Sequence, residues 1–218
     1  MIRSSIAPKM GVNVDDIQNI KNIIFDLGGV LFNIDYQATI RAFQDLQFKD
    51  FDKIFTQMKQ TSLFDLLETG KIPPQTFRNE LRKFKTQLND EQIDHAWNAM
   101  IGDLPTANVE LLRRERPTYR IFLLSNTNAI HISYVVNYLN DKFGQNPFPE
   151  LFEHTYYSHE IGLRKPHPDA FNFVVERAGL NPKETLFIDD LAVNVEGARE
   201  AGLMAYHLDH ELITNIFD

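Results

Sequence analysis

The order of its apolar runs constrains this chain more than any other feature. Five short runs rich in β-forming residues, at 22–25, 120–124, 154–157, 185–188 and 203–208, are separated for the most part by stretches of helical periodicity. Strands that are apolar on both faces need cover on both sides, and interleaved helices supply it. The expected fold is therefore α/β, a doubly wound parallel sheet. Helical punctuation agrees: Val193, Val195, Ala198 and Ala201 precede Gly202, as in a helix closed by a left-handed glycine. Phe171, Val174, Val175 and Ala178 recur at helical spacing before Gly179, with Asp169 expected to cap them. A chain of 218 residues with 43% hydrophobic content can bury a sizeable interior around such a sheet.

One segment breaks the alternation. From Asn33 to about Pro105 the signals are helical only: Ile40, Phe43 and Leu46 share a face, and Phe64, Leu67, Phe77, Leu81 and Phe84 form further stripes. Asn89 and Gln92 have the spacing of a capping box ahead of Ile93, Ala96, Trp97 and Met100. The expected division is a helical insertion over 33–105, a core made of 21–32 and 106–218, and an extraneous extension over 1–20 that ends in a short helix. The aromatics Phe64, Phe77 and Trp97 are expected to fill the insertion's interior rather than a pocket.

Composition removes several function classes. A formal charge of −8 and a pI near 5.4 oppose binding to a nucleic-acid backbone, which needs clustered Lys and Arg. With no cysteine there is no disulfide framework, thiol catalysis or zinc–thiolate site. No apolar run reaches the length of a membrane span, and the first residues lack the apolar stretch of a secretory signal, so the expected location is the cytoplasm.

Ligands of a doubly wound sheet collect beyond the carboxyl ends of its strands, and reactive residues fall at those ends. Asp26 closes the first predicted strand, just ahead of Gly28 and Gly29. Ser125 and Asn126 close the second. Lys165 sits beside Arg164 on a loop stiffened by Pro166 and Pro168, and Asp189 and Asp190 end the fourth strand. Each has an ordinary alternative: a turn aspartate, a helix cap, a solvated lysine, a capping and an exposed carboxylate. Two adjacent carboxylates oppose each other's ionisation, and a hard cation that takes oxygen ligands, Mg²⁺ above all, relieves that conflict.

Taken together, FDLGGVL, LLSNTN, RKP and FIDD, in that order, resemble the four motifs of the haloacid dehalogenase-like hydrolase superfamily. DLGGVL with LSNTN, His131 and GLRKP is similar to its glucose-1-phosphate phosphatase-like branch. The resemblance implies a Rossmann-like core with a mobile helical cap, and a phosphatase acting on a small-molecule phosphate ester. In that scheme Asp26 is the nucleophile that forms an aspartyl phosphate. Mg²⁺ is held by Asp26, the Gly28 carbonyl and Asp190, with Asp189 acting through metal-bound water. Ser125 and the Asn126 amide hold phosphoryl oxygens, Lys165 offsets charge on nucleophile and phosphate, and Asn194 braces Asp190 or a water.

One departure matters. Most phosphatases of the superfamily carry a second Asp two positions after the nucleophile as proton donor, and this chain has Gly28. General acid–base help is worth on the order of 10² to 10⁴ in rate, so phosphates with good leaving groups, such as anomeric sugar phosphates, are the expected substrates. His131, whose alternative is a solvated helix face, and Asp35, near the hinge of the insertion, are candidate substitute acids. Two other readings compete: a metal-free 2-haloacid dehalogenase, and a catalytically weak member that binds phosphorylated ligands. Oligomeric state is not legible in the sequence.

Overall fold

The computed structural model describes residues 1–48, 51 and 62–217. The expectation of helix over 49–50 and 52–61 lies outside them. Five parallel strands form one sheet in the order β3-β2-β1-β4-β5: β1 Asn22–Phe25, β2 Arg120–Ser125, β3 His154–Tyr157, β4 Thr185–Asp189 and β5 Met204–His207. The second and fourth strands run one residue past their expected ends, and the fifth is shorter by one at each end. The chain steps outward from β1 through β2 to β3, then returns to the other side of β1 for β4 and β5. The carboxyl ends of β1 and β4, paired through Phe25 and Ile188, therefore flank a topological switch point.

Strand period two sorts the interior into layers. Ile23, Phe25, Ile121, Leu123, Leu186 and Ile188 face one way, against Val109 and Leu112 of Thr106–Glu115 and Val135 and Leu139 of Ala129–Phe143. Ile24, Phe122, Leu124 and Phe187 face the other, against Phe171 and Val174 of Pro168–Ala178 and Val195 and Ala198 of Ala192–Glu200. Gly179 and Gly202 follow these last two helices with φ of +61° and +86°, the left-handed conformation that glycine adopts without steric cost. The expected cap is displaced: His167 precedes Pro168–Ala178, and its Nδ1 accepts from the Asp169 amide at 3.3 Å. Pro168, with φ already helical, starts the helix ahead of Asp169.

The first twenty residues correct the expectation of an extraneous extension. They form two short helices, Ala7–Met10 and Val14–Gln18, and Ile2, Ile6, Met10, Ile17 and Ile20 are buried in the main core. Ile2 bridges antiparallel to Phe217, and the Arg3 amide donates to the Ile216 carbonyl at 2.8 Å, tying the two ends of the chain together. The apolar residues are interrupted by Ser4, Ser5, Lys9, Asp15 and Asp16, which hides their common face from a periodicity count.

The described residues between β1 and Thr106–Glu115 form the helices Tyr36–Asp45, Leu63–Glu68, Pro74–Arg82 and Asp90–Asn98. They surround a separate apolar cluster that includes Phe43, Leu67, Phe77, Leu81, Ile93 and Trp97. Asn89 and Gln92 form the capping box reciprocally, at 2.8 and 3.1 Å. The two chain crossings lie side by side, with an antiparallel bridge between Ile34 and Ile101. Among the described residues no helix is long and apolar enough to cross a membrane.

Candidate active site

Asp26 extends the β1–β4 ladder by one bond, from its amide to the Ile188 carbonyl at 2.9 Å, which delivers its side chain to the switch point. There Lys165 Nζ donates to Asp26 Oδ1 at 2.5 Å and to Asp189 Oδ2 at 2.7 Å. The lysine is 1% exposed and Asp189 is fully buried, so this is an internal ion triad rather than a surface pair. Burial works against the Lys165 charge, but the Asp189 and Asp26 carboxylates outweigh it and hold the ammonium above its ordinary range. Burial pushes Asp26 up to about 7 against the pull of Lys165, with the Asp189 charge adding to the rise.

The triad is built from its surroundings. The Asn126 side chain grips the Lys165 backbone at both ends: Oδ1 accepts from the Lys165 amide at 2.9 Å, and Nδ2 donates to its carbonyl at 2.8 Å. That commits the side-chain amide and leaves only the main-chain N–H of Asn126 for a ligand. Helix Ala192–Glu200 presses on the same loop through Gly197, where a Cβ would lie 2.0 Å from the Pro166 carbonyl. Asn194 braces Asp189, through Nδ2 to both carboxylate oxygens at 3.0 Å, and not Asp190 as expected. The Leu191 amide also donates to Asp189 at 2.8 Å. With Lys165, Asn194 and Leu191 all donating to it, Asp189 anchors the lysine.

Asp190 differs from its neighbour. It is half-buried, and burial followed by the Asp189 charge pushes its carboxyl upward. Gly29 lies against it with φ +78°, and a Cβ there would fall 2.3 Å from Asp190 Oδ2, so both the conformation and the close approach require glycine. Oxygens of Asp26, Asp189 and Asp190 come within 4.8 Å of one another. Three carboxylates against one ammonium leave negative charge where an anion would have to approach. The all-oxygen donor set matches a hard divalent cation, so these residues fit the expected Mg²⁺.

The site opens into a cavity of about 200 Å³ between the sheet and the helical insertion. Asp26, Gly28, Ser125, Asn126, Lys165, Asp190 and Asn194 line its sheet side, so the expected residues are brought together. Ser125 is the last residue of β2 and is buried. Thr127, Arg164, Ile34, Tyr36 and Glu68 also line the cavity and were not expected there. From the sequence, Arg164 is no more than the neighbour of Lys165. The side chains from the insertion carry no sequence signal, because only the packing of the insertion on the core aims them inward.

Neither expected substitute acid is placed for that task. Asp35 caps helix Tyr36–Asp45 by accepting from the Gln37 amide at 2.9 Å, and pairs with Arg41 at 2.5 Å. Its carboxyl is held low chiefly by the Arg41 hydrogen bond. His131 is not on a solvated face. It stacks on Trp97 with ring centroids 5.2 Å apart, and its Nδ1 lies 2.8 Å from Asn98 Oδ1. A carbonyl oxygen only accepts, so the proton of the neutral ring sits on Nδ1. Burial pushes the His131 pKa down to about 3, so Nε2 is an acceptor at neutral pH.

The fold and this cluster define a doubly wound, Rossmann-like α/β protein whose carboxylates and buried lysine meet at the switch point of a parallel sheet, beneath an inserted helical layer. The chain belongs to the haloacid dehalogenase-like hydrolase family, whose sequence profile matches residues 20–202. It is 31% identical over 188 residues to D-ribitol-5-phosphate phosphatase of Bacteroides thetaiotaomicron, covering 86% of this chain and 91% of that one. A haloacid dehalogenase family enzyme from the same organism, crystallised with magnesium and inorganic phosphate, superposes with a TM-score of 0.82 at 37% identity, covering 91% of this chain and 100% of the other. A HAD-like hydrolase from Porphyromonas gingivalis gives 0.75 at 32% identity, covering 86% and 90%.

Proposed function

We propose that the protein is a Mg²⁺-dependent phosphatase of a small phosphorylated metabolite, acting through an aspartyl phosphate on Asp26. The observation that carries this reading is Lys165 bridging Asp26 and Asp189 beside Asp190 in one small cavity. The lysine places a fixed positive charge against the carboxylate that would attack phosphorus. Fixed charge aimed at the transition state is commonly the largest catalytic contribution. Asp26, the Gly28 carbonyl and Asp190 would hold Mg²⁺, which when bound supplies Lewis-acid charge to the phosphoryl oxygens. Ser125 and the Asn126 main-chain N–H, both lining the cavity, would hold those oxygens. Attack by an Asp26 oxygen forms its bond to phosphorus as the ester P–O bond breaks, and water then cleaves the acyl phosphate.

The named activity of the D-ribitol-5-phosphate phosphatase, and the magnesium and phosphate bound to the homologous crystal structure, support this reading. A metal-free 2-haloacid dehalogenase would leave Asp190 beside Asp26 and Asp189 without a purpose.

Within this function, Gly28 taken alone, which offers no proton, points to a sugar phosphate with a good leaving group. Ile34 already fills that space: a Cβ on Gly28 would lie 3.0 Å from Ile34 Cγ1. The D-ribitol-5-phosphate relative favours a second reading, a sugar-alcohol phosphate esterified on a primary carbon. Phosphate release with and without Mg²⁺ is measured on a sugar 1-phosphate, its 6-phosphate isomer and ribitol 5-phosphate, with Asp26→Asn as control. Faster turnover of the 1-phosphate supports the first substrate class, and dominance of ribitol 5-phosphate the second. Absence of Mg²⁺-dependent release would refute the phosphatase, and halide release from 2-haloacids without metal would replace it with a dehalogenase. Retained phosphate-ester binding without turnover would instead make the chain a binding protein.

A further inference from the structure

Resting on the phosphatase reading, we propose that Glu68, carried by the helical insertion, is the catalytic acid that protonates the leaving oxygen in place of the absent side chain at Gly28. In an in-line displacement the attacking and leaving oxygens lie on opposite sides of phosphorus. Asp26 attacks from the sheet end, so the leaving oxygen points toward the insertion, the layer that supplies Glu68 to the same cavity.

The other titratable groups lining the cavity have tasks or chemistry that exclude them. Asp26 attacks, Asp190 faces Asp26 and the metal position, and Lys165 is committed to two carboxylates. Arg164 does not deprotonate in proteins. His131 gives its one proton to Asn98. Tyr36 is pushed above its ordinary value by burial and by the Asp190 and Asp26 charges, which makes an already weak acid weaker.

Glu68 has the environment an acid needs. It ends helix Leu63–Glu68, and its side chain is only 23% exposed. Oε2 lies 2.9 Å from Arg164 Nη2, yet this buried oxygen has no aligned hydrogen bond among the described residues. Burial pushes the carboxyl upward against the pull of Arg164. The adjacent guanidinium also stands ready to stabilise the carboxylate left when the proton departs. The position is fixed: two residues on, Gly70 adopts φ +66°, and a Cβ there would meet the His159 carbonyl at 2.2 Å, so the turn lies directly on the core.

The step balances without an outside reagent. The ester P–O bond breaks as the Asp26–phosphorus bond forms, and the Glu68 proton passes to the departing alkoxide, giving the alcohol. In the second half, Glu68 carboxylate takes a proton from the attacking water as the acyl phosphate is cleaved, returning both acids to their starting state.

A general acid is recognised by its dependence on the leaving group. Wild-type protein, Glu68→Gln and Glu68→Asp are compared with saturating Mg²⁺ on p-nitrophenyl phosphate, whose phenolate leaves without protonation, and on a sugar 6-phosphate. Glu68→Gln is expected to lose on the order of 10²-fold on the 6-phosphate and less than about threefold on the aryl ester, with Glu68→Asp recovering part of the loss. Equal losses on both esters would show that Glu68 only holds the insertion in place, and an unchanged 6-phosphate rate would show no role; either overturns the proposal. So would a wild-type protein that hydrolyses the aryl ester but not the 6-phosphate. Failure of the wild-type protein on every ester tested would instead refute the phosphatase reading, and the assignment of Glu68 would fall with it.

Discussion

Lys165→Met tests the electrostatic centre of the site. The ammonium lies 2.5 Å from one carboxylate oxygen and 2.7 Å from another, and its stem is enclosed with Nζ 5.2 Å from the Phe187 ring centroid. At an effective dielectric constant of about 20, each contact is worth roughly 6–7 kcal/mol of gross attraction. Desolvating the lysine offsets several kcal/mol of that. Methionine keeps the volume of the stem but leaves Asp26 and Asp189 unpaired in the interior, and removing one partner of a buried pair costs about 3–5 kcal/mol. Against a total stability of about 5–15 kcal/mol for a folded domain, the variant should unfold at a markedly lower urea concentration with an unchanged slope. The double variant Lys165→Met/Asp189→Asn should recover part of the loss, because one of the stranded charges is gone. Urea titrations of the wild type, both single variants and the double variant in EDTA complete the cycle. Loss below about 1 kcal/mol in Lys165→Met, or strict additivity in the double variant, would refute the coupling described here.

Three further outcomes are expected. Gly29→Ala should weaken Mg²⁺ binding by calorimetry and lower stability by about 1–3 kcal/mol, since it combines a positive φ with a Cβ 2.3 Å from Asp190 Oδ2; unchanged affinity would argue against Asp190 as a ligand. Burial holds His131 at about 3 in the folded state against an ordinary 6.5, so the unfolded chain binds its proton first as pH falls. The His131 contribution is therefore complete above pH 6.5 and is lost progressively toward pH 3, by at most about 1.4 kcal/mol per pH unit, and His131→Gln should flatten that part of a stability–pH curve. Deleting residues 1–10 removes Ile2, Ile6 and Met10 from the core. At about 1.5–3 kcal/mol for each large apolar side chain, it should cost roughly 5 kcal/mol or more, and a melting temperature within a few degrees of the full chain would contradict this.

What the sequence reveals about the site follows the sheet. Asp26, Ser125, Lys165 and Asp190 are legible because parallel strands carry their carboxyl ends to one edge, so order along the chain becomes proximity in space. Partners within that edge are less legible. Asn194 lies one helical turn beyond two adjacent aspartates, and spacing alone does not say which it meets; the structure chooses Asp189. His131 reads as an exposed helix residue until Trp97 and Asn98 of the insertion cover it. The burial of the N-terminal residues is not legible in the sequence because their buried face is distributed over two short helices and an extended end, which have no common period.

Gly28 and Ile34 show how the two halves of the cavity depend on each other. An aspartate at 28 would need room for its Cβ, and Ile34, at the crossing into the insertion, stands 3.0 Å from that position. The missing acid is thus matched by an apolar side chain that closes the gap it would occupy. Restoring it by Gly28→Asp alone would force Ile34 aside, whereas pairing it with Ile34→Ala opens the space. If proton donation has moved to the insertion, the paired change should make alkyl phosphate turnover less dependent on Glu68, while aryl phosphate turnover stays as it was. A chain in which Glu68→Gln remains equally damaging after both substitutions would show that the two positions do not serve the same proton.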